Sequence, residues 1–226
     1  MTWVKICGMT NLEDALVAVE AGADAVGFVF YEKSPRKISV EAAREIVEKL
    51  PEAVEKVGVF VGETTELIGD IVAQVGLTAV QFYHAKGKSS SADWAAIGQE
   101  LRCKLIIAVH GERLIDGGVF VSDEVKRRVH AMLIDSGSGE RPGGTGATFD
   151  WEGCRGMVQG LGSMMPVIVA GGLTAGNVAE AIGILKPWGV DVASGVEERP
   201  GKKDPEKVRA FVRAVRAAES PHGTGG

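Results

Sequence analysis

Short runs of apolar, often β-branched residues alternate with longer stretches of helical periodicity, and the pair recurs eight times along the chain. The strand-like runs lie at residues 3–7, 24–30, 56–61, 79–83, 104–110, 131–135, 167–171 and 190–194. Strands that alternate with helices form right-handed βαβ units, so the pattern predicts a parallel sheet covered by helices. Eight such units in 226 residues predict an α/β fold, a single (β/α)8 TIM barrel.

A doubly wound open sheet is the competing fold for alternating strands and helices. Such a sheet usually has fewer units and a glycine-rich phosphate-binding motif directly after its first strand. Here the first strand runs into Cys7-Gly8-Met9-Thr10, which is not that motif. Since no low-complexity linker divides the chain, we expect one barrel domain over residues 1–219 and a disordered tail over 220–226.

Charge balance and residue usage exclude several kinds of partner. The 25 Lys and Arg residues against 30 Asp and Glu, with no long basic block, argue against nucleic acid. The chain has no apolar run of about 18 residues and no signal peptide, so we expect a cytoplasmic protein that does not enter a membrane. The three cysteines and four histidines are too scattered for a disulfide framework or a metal site. The size fits a monomer or a homodimer.

In a barrel of this kind the active site forms at the carboxyl ends of the strands. Alternation directs Lys5 and Cys7 of the first strand inward, and Asp135 at the end of the sixth. Either a buried apolar role or a reactive thiol would explain Cys7, and Lys5 together with the start of the first helix would favour its thiolate. Asp135 either caps a turn or acts chemically, because an unpaired inward carboxylate is costly. We expect that helix to begin with a capping box formed by Thr10 and Glu13.

Three further features point to the mouth of the barrel. Asp191 on the eighth strand is a second inward carboxylate, and it could pair with Lys5 on the neighbouring first strand, which would make it a supporting residue. Glycine-rich turns follow the seventh and eighth strands, at Gly171-Gly172 and Ser194-Gly195. Backbone N–H groups in these two loops often bind phosphate in barrels, and glycine lets the backbone approach the anion closely.

Two loops could complete the site. Arg36 follows Pro35 in the loop after the second strand, and its guanidinium suits a substrate carboxylate or phosphate. The glycine-rich segment 136–148 lacks the lysine of a P-loop, and its length and composition favour a mobile lid over a plain surface loop.

Several motifs follow one another in a fixed order from residue 3 to about residue 213: Lys5-Ile6-Cys7-Gly8-Met9-Thr10, Ser34-Pro35-Arg36, Leu133-Ile134-Asp135-Ser136, Ala170-Gly171-Gly172-Leu173 and Asp191-Val192-Ala193-Ser194-Gly195. In this order and spacing the sequence resembles the phosphoribosylanthranilate isomerases of tryptophan biosynthesis. The resemblance implies a phosphorylated small-molecule substrate, N-(5-phosphoribosyl)anthranilate, and an Amadori rearrangement that needs no cofactor.

The resemblance also implies a role for each candidate residue. Asp135 would be the general acid that protonates the ribose ring oxygen and opens the ring to a Schiff base. Cys7 would be the general base that removes the proton from C2′, giving an enolamine that tautomerises to the ketone. Arg36 would hold the anthranilate carboxylate, and Gly172 with Ser194-Gly195 would bind the phosphate.

The fourth strand departs from the family pattern. The family usually reads Gln-Leu-His-Gly there, whereas this chain reads Gln81-Phe82-Tyr83-His84, so the histidine is displaced by one position and faces the other side of the strand. We therefore leave this loop out of the predicted site.

Two other functions stay open. One is a related barrel isomerase that accepts a histidine-pathway aminoaldose, alone or as a second substrate, and uses two carboxylates as acid and base. The cysteine at position 7 argues against it. The other is a non-catalytic barrel that binds a phosphorylated ligand.

Overall fold

The computed structural model describes residues 1–84, 91–101, 103–111, 122–136 and 148–219. Its eight parallel strands pair in chain order and close between the first and the last, which confirms the predicted (β/α)8 TIM barrel. The strands are β1 (Trp3–Cys7), β2 (Ala25–Val29), β3 (Glu55–Val61), β4 (Ala79–Tyr83), β5 (Lys104–His110), β6 (Ala131–Asp135), β7 (Val167–Val169) and β8 (Gly189–Val192).

Helices follow the strands within the described ranges and form the outer layer. They are α1 (Leu12–Glu20), α2 (Val40–Val47), α3 (Thr65–Val75), α4 (Ser91–Glu100), α5 (Asp123–Arg128), α6 (Trp151–Gly162), α7 (Val178–Leu185) and α8 (Pro205–Glu219). After β8 the chain makes a 3-10 turn at Ser194–Val196 and a small antiparallel hairpin of β9 (Glu197–Arg199) and β10 (Lys202–Lys203). This hairpin lies between the barrel and α8 in chain order and supplies buried charges to the mouth.

Side-chain alternation divides the apolar core into two layers. Val4 and Ile6 of β1 pack in the outer layer between strands and helices, whereas Cys7 belongs to the inner cluster. On β6, Ile134 is outward and Leu133 inward in the same way. The predicted inward directions of β1 and β6 are therefore confirmed, and both strands deliver their last residue to the mouth.

The start of α1 differs from the predicted capping box. Asn11 is the N-cap, and its side chain accepts a hydrogen bond from the backbone N–H of Asp14 at 2.9 Å. The Thr10 hydroxyl instead donates to the carbonyl of Gly201. Asparagine is as good a cap as threonine, so the helix starts one residue later and Thr10 ties this loop to the hairpin.

Two sequence-based expectations lie wholly or mostly outside the described residues. These are the lid over 136–148, of which residues 137–147 are not described, and the tail over 220–226. Within the described ranges no helix is long and apolar enough to cross a membrane.

Candidate active site

A cavity opens at the carboxyl ends of the strands, where the active sites of TIM barrels form. All eight predicted site residues line it: Cys7, Arg36, Asp135, Gly171, Gly172, Asp191, Ser194 and Gly195. Gln81 and Tyr83 of β4 line it as well, although sequence reasoning left the end of β4 out of the site.

A buried cation lies beneath Cys7. The Lys5 ammonium is fully buried, 2.8 Å from Oδ1 of Asp191 and 2.9 Å from Oε1 of Gln81. The neighbouring positions of β1 and β8 make the first contact possible, so the predicted Lys5–Asp191 pair is confirmed. Burial lowers the pKa of Lys5, but the charges of Asp191 and Cys7 outweigh burial and raise the pKa above its usual value. Lys5 is therefore a permanent cation of the cavity floor.

The pKa of Cys7 is raised, whereas the sequence led us to expect a lowered pKa that favours the thiolate. Burial raises the pKa of the Cys7 thiol, and the positive charge of Lys5 lowers it only in part. Lys5 thus acts in the expected direction, but the thiolate is disfavoured overall because the sulfur lies in a nearly closed environment. Gly27 on the adjacent strand makes room for the pair, since a Cβ there would lie 2.6 Å from the Cys7 sulfur.

Asp135 shares a hydrogen bond with the residue that replaces the family's histidine. Asp135 is buried at the end of β6, and its Oδ2 accepts a hydrogen bond of 2.9 Å from the Tyr83 hydroxyl. Burial, Asp135 and Asp191 raise the pKa of Tyr83 well above 10, so the hydroxyl stays protonated. Inward alternation of Gln81 and Tyr83 along β4 was the signal that could have identified both residues from sequence. His84 packs against Phe82, which belongs to the outer core layer.

Arg36 lies at the rim of the cavity with its side chain held in place. Its Nε and Nη2 donate to the two carboxylate oxygens of Glu197 at 2.8 and 2.7 Å. Glu197 also accepts a 3.0 Å hydrogen bond from the buried Lys203 ammonium. Burial raises the pKa of Glu197, but Arg36 and Lys203 outweigh burial and hold the pKa below its usual value. No local sequence pattern indicates this cluster, because Arg36 and Glu197 are 161 positions apart.

Glycine is required where the loops after β7 and β8 meet. Gly171 and Gly172 have φ angles of 85° and 62°, in the left-handed region that favours glycine. A Cβ on Gly171 would lie 2.1 Å from the Ser136 hydroxyl oxygen, and one on Gly195 would lie 1.9 Å from the Leu173 carbonyl oxygen. Glycine at these positions therefore lets the two turns pack closely against Ser136 and Leu173, and both turns line the cavity.

Residues 4–214 match the family model described as N-(5'phosphoribosyl)anthranilate (PRA) isomerase. The chain belongs to the N-(5'-phosphoribosyl)anthranilate isomerase family. Curated members with that name are 41% identical over 220 residues in Pelobacter propionicus, covering 97% of this chain and 98% of the relative. In Geotalea uraniireducens the identity is 42% over 217 residues, covering 96% and 99%.

Solved structures of phosphoribosylanthranilate isomerases are similar in fold over 96% of this chain. The enzyme from Thermotoga maritima is 40% identical with a TM-score of 0.81, covering 96% of this chain and 100% of that one. A phosphoribosylanthranilate isomerase in complex with reduced 1-(o-carboxyphenylamino)-1-deoxyribulose 5-phosphate is 39% identical with a TM-score of 0.77, covering 96% and 100%. The family resemblance drawn from the sequence motifs is therefore confirmed.

The described residues also show whether the cysteines are paired and whether a metal-binding cluster is present. Cys7, Cys103 and Cys154 are all free thiols. No group of three or more His, Cys, Asp and Glu side chains that could hold a metal ion occurs in the part of the chain that the structure describes.

Proposed function

We propose that the protein converts N-(5'-phosphoribosyl)anthranilate into 1-(2-carboxyphenylamino)-1-deoxyribulose 5-phosphate, an Amadori rearrangement in tryptophan biosynthesis. Membership of an isomerase family over residues 4–214 supports the reaction. The observation that carries the residue roles is that Cys7 and Asp135 end two non-adjacent strands and line one cavity. An acid and a base on separate strands suit a reaction that adds a proton at one atom and removes a proton at another.

Asp135 acts first, as the general acid. Its carboxyl proton passes to the ribose ring oxygen while the bond between that oxygen and C1′ breaks. The lone pair of the anthranilate nitrogen forms a C=N bond to C1′, so the product of this step is a Schiff base cation beside the Asp135 carboxylate. The burial of Asp135 excludes competing water from the transfer.

Cys7 acts second, as the general base. Its thiolate takes the proton from C2′, the C–H electron pair forms a C1′=C2′ bond, and the C=N electron pair returns to nitrogen. The resulting enolamine is neutral and tautomerises to the ketone. A Schiff base cation in the cavity favours the thiolate, because an opposite charge lowers a thiol pKa that burial has raised. Each transfer contributes about 10²–10⁴-fold to the rate.

The remaining candidates bind the two anionic ends of the substrate. Arg36, Lys203 and Glu197 form a cluster with one net positive charge, which complements the anthranilate carboxylate at the rim. The backbone of Gly171-Gly172 and Ser194-Gly195 binds the phosphate, since both turns line the cavity and the loops after the seventh and eighth strands often bind phosphate in TIM barrels. Asp191 supports the site from below through Lys5.

The experiment generates the substrate in situ and follows the loss of its anthranilate fluorescence. Wild-type protein is expected to give fast decay, and turnover of the histidine-pathway aminoaldose, which has no anthranilate group, is followed in a separate assay of its product. Arg36→Met is expected to raise KM because the carboxylate loses its cation. No decay with the wild type, or turnover of the histidine-pathway substrate alone, would overturn the proposed function.

The cellular setting follows from the reaction class. We place this small-molecule biosynthetic enzyme in the cytoplasm, as a monomer or a homodimer. One solved relative bears on the assembly, a phosphoribosylanthranilate isomerase from Thermotoga maritima that is described as dimeric and was converted to monomers. The barrel over residues 1–219 forms the catalytic domain, and the tail over 220–226 takes no part in the chemistry.

A further inference from the structure

A chain of buried hydrogen bonds crosses the floor of the cavity from β8 to β6. Lys5 Nζ donates to Asp191 Oδ1 at 2.8 Å and to Gln81 Oε1 at 2.9 Å. Gln81 Nε2 lies 3.3 Å from the Tyr83 oxygen, and the Tyr83 hydroxyl lies 2.9 Å from Asp135 Oδ2. All five side chains are buried, so solvent does not compete for these donors and acceptors.

The direction of each hydrogen bond is set by the one before it. An ammonium group can only donate, so Lys5 requires the carbonyl oxygen of Gln81 and turns the amide NH2 toward Tyr83. The Tyr83 oxygen then accepts from this NH2, and its own proton points to Asp135. The fixed charge of Lys5 thus determines where the Tyr83 proton lies.

We propose that Tyr83 is a positioning residue for the general acid, holding Oδ2 of Asp135 as an acceptor so that the transferable proton is carried on Oδ1. The inference rests on the proposed function, in which Asp135 donates that proton. A neutral carboxyl group has one O–H, and an oxygen that accepts from a committed donor keeps the carbonyl role. The rotation of the acid is thereby fixed before the substrate arrives.

The same hydrogen bond also favours the transfer itself. When Asp135 gives up its proton it becomes a carboxylate, and a hydrogen bond from Tyr83 to a carboxylate is stronger than one to a neutral acid. Stabilisation that grows along the reaction coordinate accelerates the step, whereas equal binding of both states would not. Because the pKa of Tyr83 is raised well above 10, the hydroxyl remains a donor and does not replace Asp135 as the acid.

A double-mutant cycle tests the proposal, with Tyr83→Phe, Asp135→Asn and the double variant in single-turnover and steady-state assays. Tyr83→Phe is expected to lower the rate constant for turnover roughly tenfold or more while KM stays within about twofold. In the Asp135→Asn background the same substitution is expected to change the rate by less than about twofold, because the hydroxyl acts through the carboxylate. Independent, multiplicative effects, or a raised KM with unchanged turnover, would overturn the proposal.

Gln81→Glu gives a second variant that keeps the tyrosine and the cavity shape. A carboxylate at position 81 still pairs with Lys5 but has no N–H for Tyr83, so the hydroxyl is free to turn away from Asp135. Turnover is expected to fall by a similar factor with KM unchanged, and turnover equal to that of the wild type would contradict the oriented chain. Failure of the proposed function is a separate outcome, since it appears as no turnover of phosphoribosylanthranilate by the wild-type protein.

Discussion

Replacing Glu197 with glutamine should lower the free energy of unfolding, because Glu197 is the anion of the charge cluster that holds Arg36. Glu197 is buried, accepts two hydrogen bonds from Arg36 and one from Lys203, and also accepts the backbone N–H of Gly201 at 3.2 Å. Glutamine has the same shape but removes the negative charge between two cations. Breaking a buried ion pair costs about 3–5 kcal/mol, because the partner charges remain buried without compensation. For a chain of this size that loss lowers Tm by roughly 6–20 °C.

The loss of stability in Glu197→Gln should also depend on pH and become smaller as the pH falls. The folded-state pKa of Glu197 lies below the usual 4.5 because Arg36 and Lys203 outweigh burial. A carboxyl group of this kind contributes stability that is complete above its unfolded pKa and is lost as the pH falls through its folded pKa. The stability difference between wild type and Glu197→Gln is therefore expected to be full at pH 7 and to shrink as the pH falls below 4.5.

Urea unfolding followed by tryptophan fluorescence at pH 7, 5 and 3.5 measures both effects. Glu198→Gln is the matched control, since that neighbouring side chain is 64% exposed and lies 3.7 Å from Arg199. The control is expected to stay within about 0.5 kcal/mol of the wild type. If Glu197→Gln lowers the free energy of unfolding by less than about 1 kcal/mol at pH 7, or if the difference does not change with pH, Glu197 does not stabilise the fold as a buried anion.

Three further changes test other parts of the account. Gly195→Ala places a Cβ 1.9 Å from the Leu173 carbonyl oxygen, so we expect KM for the phosphorylated substrate to rise at least tenfold. The control is Gly183→Ala in α7, where a Cβ meets nothing within 4 Å and KM should not change. Alkylation of Cys7 by iodoacetamide, followed by peptide mass spectrometry, should reach half its maximal rate above pH 9.0, since burial raises the thiol pKa; a midpoint near 8 would contradict this. Asn11→Ala should lower the free energy of unfolding by about 1 kcal/mol through loss of the α1 N-cap, and an unchanged urea midpoint would count against that cap.

The parts of the site that follow from local rules were predictable from sequence. Strand alternation is set by adjacent residues, so the inward directions of Cys7 and Asp135 could be read from β1 and β6 alone. Closure of the barrel makes the first and eighth strands neighbours, which was enough to predict the pairing of Lys5 with Asp191. The same alternation rule places Tyr83 inward, so its position in the site was predictable from β4 even though His84 departs from the family pattern.

Features that depend on tertiary distance were not predictable. Arg36 and Glu197 meet only because the hairpin after β8 folds back over the loop after β2, and a charged residue without a known partner is by default expected in solvent. The pKa of Cys7 depends on how deeply the sulfur is buried, which no local pattern encodes. Both threonine and asparagine can cap a helix, so the sequence alone does not distinguish Thr10 from Asn11. Asn11 is the N-cap of α1, because the Thr10 hydroxyl donates to the carbonyl of Gly201 instead.

The assignment of acid and base is tested most directly by comparing binding with turnover in Cys7→Ala and Asp135→Asn. Calorimetric titration with reduced 1-(o-carboxyphenylamino)-1-deoxyribulose 5-phosphate, the compound bound in a related structure, measures binding, and the fluorescence assay measures kcat. Both variants are expected to bind the compound within about threefold of the wild type while kcat falls at least about 10²-fold. Cys103→Ala, which removes a thiol that does not line the cavity, should change neither quantity. Turnover within tenfold of the wild type in either variant would contradict the account.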